Sequence, residues 1–165
     1  MTPLVTIRAA TPADAGAIWD ILQPVIDAGQ TYPLPRDMDR DAALAYWLSP
    51  VHQVFVAILD GQIAGTYYLR PNNLGGGAHI ANCGYISAKK FRGKGVARAM
   101  CAHSLNQAKA DGFKAMQFNF VIASNKTAVG LWTSMGFETL CQLPKVFDHP
   151  KEGLVDALVM FKELD

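Results

Sequence analysis

The spacing of hydrophobic and polar positions changes period several times along the chain, and each change marks an element. Val5-Thr6-Ile7-Arg8-Ala9 alternates at period two, as a half-buried strand does. Thr11-Pro12-Ala13-Asp14 reads as a helix start, with a threonine cap, proline in the first turn and an acid three residues after the cap. Ile18, Trp19, Leu22 and Ile26 follow at helical spacing, and Pro24 is expected to kink or interrupt that helix because it removes an amide donor. A loop at 29–35 leads to a second helix over 40–48, stopped by Ser49-Pro50. Two apolar runs, 54–59 and 63–69, flank Asp60-Gly61, a pair suited to a tight hairpin turn.

After a glycine-rich connection at 72–77, residues 79–87 read as a strand. Residues 93–110 form a helix with an apolar stripe at Ala97, Cys101, Leu105 and Ala108. Met116, Phe118 and Phe120 then alternate with Gln117, Asn119 and Val121, so the phenylalanines are expected on one strand face and Asn119 on the other. A helix begins near Ser124-Asn125, carries Ala128, Leu131, Trp132 and Met135, and ends at Gly136. Two last strands, 137–143 and 154–161, enclose a polar loop that contains Phe147 and His149. The order of elements is that of one mixed α/β domain over residues 4–165, without repeat or linker.

Composition narrows the function classes without naming one. Half the residues are hydrophobic and 18% are charged, which suits a filled core and excludes a disordered chain. A formal charge of +1 offers no electrostatic case for nucleic acid. No apolar stretch reaches the roughly 18–20 residues of a membrane span, and the N-terminus lacks a signal-peptide pattern. Cys83, Cys101 and Cys141 cannot all be paired and match no zinc spacing, so the expectation is a soluble cytoplasmic protein without a metal.

Positive charge is concentrated in one place. Lys89, Lys90, Arg92 and Lys94 surround Gly93 and Gly95 between a strand and a helix. Glycines let backbone N–H groups approach a ligand, and a helix start adds unsatisfied donors and partial positive charge, a combination that suits a pyrophosphate. The segment lacks the P-loop pattern, and Arg98 stands where a dinucleotide fingerprint needs its third glycine, so neither ATP nor NAD is supported.

Arg92-Gly93-Lys94-Gly95-Val96-Ala97, followed by Asn125-Lys126-Thr127-Ala128 and by Met135-Gly136-Phe137, resembles the GNAT superfamily of acyl-CoA N-acyltransferases. The resemblance runs through the whole chain, with the opening strand, the Asp-Gly hairpin and the late strands in family order. It implies a mixed, mostly antiparallel sheet splayed between two strands and flanked by helices. It also implies acetyl-CoA as co-substrate: backbone of Tyr85, Ile86 and Ser87 on its pantetheine arm, amides from Arg92 to Ala97 on its pyrophosphate, and Asn125 and Trp132 along the next helix. A bulge in the splayed strand would aim an N–H at the thioester oxygen. Two departures stand out. Lys90 replaces the Gln or Arg that opens the family's loop pattern, and Trp132 stands where many members carry a tyrosine acid.

The acceptor side is sparser. His79 is a candidate base, and Cys83 a candidate nucleophile that lacks a cationic partner. Asn82 and Asn119 lie in otherwise apolar strands, where an amide needs a partner. With the late segments around His149-Pro150 and Asp156-Ala157-Leu158, they resemble a GNAT subgroup that includes fungal enzymes acetylating proline-like imino acids such as azetidine-2-carboxylate. That resemblance implies substrate-holding roles for Asn82 and Asn119, with Tyr32 and Phe147 in loops that line the acceptor pocket. Tyr67, Tyr68 and His149 are further candidates for that lining. The implied reaction is acetylation of a small-molecule amine by direct attack in a ternary complex. Protein or peptide acetylation and a non-catalytic acyl-CoA sensor stand as alternatives, and the apolar composition permits a homodimer.

Overall fold

A computed structural model describes residues 4–165. Its strands are β1 (Thr6–Ala9), β2 (Gln53–Leu59), β3 (Gln62–Pro71), β4 (Ile80–Ser87), β5 (Ala115–Ile122), β6 (Glu138–His149) and β7 (Gly153–Glu163). The helices are α1 (Ala15–Ala28), α2 (Arg40–Trp47), α3 (Val96–Ala110) and α4 (Lys126–Ser134). One seven-stranded sheet runs in the order β1-β2-β3-β4-β5-β7-β6. Every pairing is antiparallel except β4 with β5, as expected of a sheet that splays in its middle.

That parallel pairing lasts for two rungs, Ile80 opposite Ala115 and Ala81 opposite Met116. The next β5 carbonyl, on Gln117, accepts from the Asn82 side chain at 2.9 Å, so a side chain takes the place of the third rung. Beyond it the two strands part and a groove opens.

The sheet is covered on both faces because β2 and β3 alternate between two apolar sets. Phe55, Tyr67 and Leu69 join Met100, Met116 and Met160 in one cluster, and Val56 and Tyr68 join Ile18, Leu22, Ile26 and Trp47 in the other. Trp47 anchors the second layer by donating its Nε1–H to Thr66 at 3.1 Å. Gly65 lets α3 approach closely, since a Cβ there would meet Met100 Cε at 2.9 Å.

Several local expectations fail for identifiable reasons. α1 runs through Pro24 unbroken, because both Pro24 and Asp20, whose carbonyl loses its donor, lie on the exposed side where water can serve it. The buried stripe of α3 is Val96, Met100, Cys101, Ser104 and Ala108, with Ala97 at its margin. Ser104 is tolerated inside because it donates to the Cys101 carbonyl at 2.7 Å and pairs with the Tyr85 hydroxyl at 2.6 Å. The late polar loop is strand instead: β6 and β7 continue as a long hairpin, and Phe147 and His149 are buried strand residues. Irregular register between Leu143 and Phe147, with Lys145 at φ 53°, explains why that stretch looked like a loop. Among the described residues, no helix is long and apolar enough to cross a membrane.

Candidate active site

Two adjoining cavities of about 450 and 670 Å³ occupy the groove between the parted strands. Tyr85, Ser87, Arg92, Asn125 and Trp132 line both, so they form one continuous space with two ends.

One end is made of main chain. Lys89–Phe91 is a single 3-10 turn, after which Lys94 N–H donates to the Phe91 carbonyl at 3.2 Å. Gly93 and Gly95 sit at φ 76° and 80°, a conformation glycine adopts without strain. Gly95 caps α3, and its carbonyl accepts the first intrahelical bond, from Ala99 at 3.0 Å. The amides of Val96, Ala97 and Arg98 precede that bond, so they have no helical acceptor, and the dipole adds positive potential. Arg92, Gly93, Gly95, Val96 and Ala97 line this end. Lys94 is held elsewhere: its ammonium lies 5.5 Å from the Phe91 ring centre, beside that of Lys90 at 5.1 Å. Lys90 also donates to Gln62, tying the loop to the β2–β3 turn. Asn125 caps α4 by accepting from Ala128 N–H at 3.2 Å. Trp132 leans on Tyr85 and Phe118, with ring centres 5.0 and 5.1 Å away.

The other end is made of side chains. Asn82 of β4 and Asn119 of β5 both line this end, with Ile86, Tyr32, Tyr46, Tyr68 and Arg70. Tyr32 reaches in from the α1–α2 connection and donates its hydroxyl to the Tyr85 carbonyl at 3.0 Å. Asn119 is engaged at both ends: Nδ2 donates to Asn72 Oδ1 at 2.6 Å, and Oδ1 accepts from Gln117 Nε2 at 2.9 Å. Phe147 does not reach the space; it stands behind Phe120, with ring centres 6.0 Å apart.

The expected bulge in β4 is not there. Its register with β3 is unbroken from Gly65–Ser87 to Pro71–Ala81. The irregularity falls in β5, between Phe118 and Val121. It re-phases the strand, so Phe118 stacks on Phe137 at 4.3 Å while Phe120 packs on Phe147, and the two phenylalanines do not share a face. His79 is exposed and outside both cavities. Cys83 does line the acceptor end, but burial pushes its thiol up to about 12, which removes the thiolate a nucleophile needs. Neither Asp nor Glu lines this end. Among the described residues no cluster of three His, Cys, Asp or Glu side chains could hold a metal.

Arg70, Tyr46, Asn72 and Gln117 are absent from the sequence-derived candidates. Arg70 is a lone cation closing the apolar run 63–69, a common feature of strand ends. The others are brought in by tertiary packing and leave no mark in the local pattern.

This fold and this groove define an acyl-transfer enzyme, and residues 18–137 match the model of the Acetyltransferase (GNAT) family. The chain belongs to that family and is an acetyl-CoA-dependent acetyltransferase. N-acetyltransferase aca1 of Schizosaccharomyces pombe is 31% identical over 152 residues, spanning 81% of this chain and 72% of the relative. A GCN5-related N-acetyltransferase from Kribbella flavida is 35% identical, with a TM-score of 0.93 over 97% of this chain and 98% of that one. YncA of Salmonella typhimurium, a putative acetyltransferase solved with its cofactor acetyl-CoA, shares the fold with a TM-score of 0.85 at 24% identity, over 98% and 95% of the two chains.

Proposed function

We propose that this enzyme acetylates the amine of a small molecule by direct attack in a ternary complex. The observation that carries the reading is the acceptor end itself. It is about 450 Å³ in volume and roofed by the α1–α2 connection, whose Tyr32 is bonded to β4. A space of that size suits a small molecule. The subgroup resemblance carried by Asn82 and Asn119 favours amino or imino acids.

The other end fits acetyl-CoA. Open main-chain donors at Gly93 and Gly95–Ala97 and the Arg92 guanidinium are the donor set a pyrophosphate requires. Edge backbone of Tyr85, Ile86 and Ser87, with Asn125 and Trp132 opposite, would hold the arm. Bound there, acetyl-CoA supplies a thioester carbonyl open to an amine and a thiolate that departs with the bond electrons. The amine must be neutral to attack, and no carboxylate lines the acceptor end to take its proton, so the proton leaves through water. Trp132 offers an N–H that orients but does not protonate, so the sulfur departs as thiolate. Asn82 and Asn119 hold the acceptor and aim its nitrogen, and Phe147 contributes by backing Phe120. The three unpaired cysteines suit the cytoplasm.

Thiol release from acetyl-CoA, measured against amino acids, imino acids, polyamines and peptides, tests the reading. Turnover confined to small amines is expected, with acetyl-CoA alone raising the thermal midpoint. Turnover of peptides alone, or a thermal shift without turnover of any amine, would overturn it.

A further inference from the structure

The acceptor end contains a cation with no carboxylate to answer it. Arg70 stands near the end of β3 and lines the cavity. Its Nε–H donates to the neighbouring Pro71 carbonyl at 3.2 Å, the one hydrogen bond it makes among the described residues. Of the two ion pairs among those residues, Arg8 with Asp14 lies elsewhere and His149 with Glu152 lines the donor end; neither involves Arg70. An arginine with unspent N–H groups beside a small cavity free of Asp and Glu is a ready fork for a carboxylate.

Its neighbour completes the pattern. Arg70 and Asn82 are directly opposite in the β3–β4 register, which puts their Cβ atoms about 4.5–5.5 Å apart. Asn82 spends Nδ2 on the Gln117 carbonyl, which leaves Oδ1 to accept an N–H from a ligand. A fork for an anion and an acceptor for an amine therefore stand side by side. That matches a molecule carrying both groups on one carbon.

We infer that Arg70 binds a carboxylate on the acceptor and so selects amino and imino acids over polyamines and lysine side chains. The inference rests on the small-molecule reading above and adds the group that does the selecting. A second cationic group on the acceptor would meet Arg70 with no compensating anion on this wall. Pairing the carboxylate with Arg70 also withdraws the acceptor's own negative charge from its ammonium, which eases the proton loss that attack requires.

The test compares an acid with its carboxamide, which keeps shape and removes charge; L-proline and L-prolinamide are the first pair, with spermidine as polyamine. The ring ammonium of L-prolinamide loses its proton more easily than that of L-proline, so a preference for the acid cannot come from a larger share of neutral amine. Wild-type kcat/KM is expected to favour the acid by roughly 10- to 100-fold, the worth of a charge-assisted hydrogen bond. Arg70→Met should erase that preference through KM and move the rising limb of the acid's pH profile upward. Arg70→Lys should restore part of the preference. Equal use of acid and amide by the wild type, better use of spermidine, or equal loss of both substrates in Arg70→Met would overturn the inference. Calorimetry of both ligands against the CoA-saturated protein separates it from the catalytic reading. Arg70-dependent binding of the acid without turnover would sink that reading and uphold the carboxylate site, whereas equal binding of acid and amide would sink the site whatever the turnover.

Discussion

The two ends of the groove are built from different materials. The acyl-donor end takes nearly half of its lining from one continuous stretch, residues 85–98, whose contribution is largely the direction of its amides, and most of the rest from residues 122–132. The acceptor end collects side chains from the α1–α2 connection and from β3, β4 and β5, with Tyr32 and Phe120, for example, 88 residues apart. A site of amides depends on backbone angles and tolerates changes of side chain. A site of side chains depends on residue identity and can be rewritten without touching the frame. One fold can therefore keep its donor while its acceptors diverge.

The sharpest way to break that contrast is at Gly95. Its added Cβ would meet nothing within 4 Å, so any cost of Gly95→Val comes from holding a β-branched residue at φ 80°. Backbone strain of that kind should weaken acetyl-CoA binding by roughly 10- to 100-fold by calorimetry. At saturating acetyl-CoA the acceptor KM should stay within about twofold, since the frame that holds the acceptor is intact. Parallel loss of both would show that the two ends are not separable.

A smaller effect is expected from the other side. Asn119→Ala should lower acceptor kcat/KM by about tenfold, the size of one lost hydrogen bond to a held polar group, with acetyl-CoA affinity unchanged. Because Asn119 is braced by Asn72 at 2.6 Å, Asn72→Ala should reproduce most of that loss, and the double variant should cost little more than either single one. Strict additivity would detach Asn72 from the wall.

The smallest effect belongs to Cys83. Its thiol lines the acceptor end but is held protonated, so Cys83→Ala should change kcat by no more than about threefold. Mass spectrometry of the wild type mixed with acetyl-CoA alone should detect no acetylated enzyme. A stable acetyl adduct on Cys83 would replace direct attack with a two-step route.

The same contrast governs what could be read before folding. The donor end was legible because its residues are adjacent in the chain: two glycines, a basic cluster and the helix start are all local, and the cap at Asn125 follows the same logic. The acceptor end was legible only where a residue contradicted its strand. Asn82 and Asn119 stood out as amides in apolar runs, and both line the same cavity. Arg70 did not stand out, because a cation at the end of an apolar strand is ordinary; its meaning comes from facing Asn82 across the β3–β4 register. One inserted residue in β5 was enough to defeat the period-two reading of Phe118 and Phe120. Pro24 shows the reverse case, in which a strong local signal yields to an exposed helix face.

The short pairing of β4 with β5 has a consequence beyond chemistry. Sheets ordinarily keep unpaired backbone at their outermost strands, and here two such edges lie at the centre of the molecule. Tyr32 occupies the Tyr85 carbonyl and Asn82 occupies that of Gln117, which leaves the rest of each rim open to any extended chain. The substrate that fills this slot is thus also its guard, and protein stored without acetyl-CoA is the form in which heat or crowding has an internal seam to prise apart.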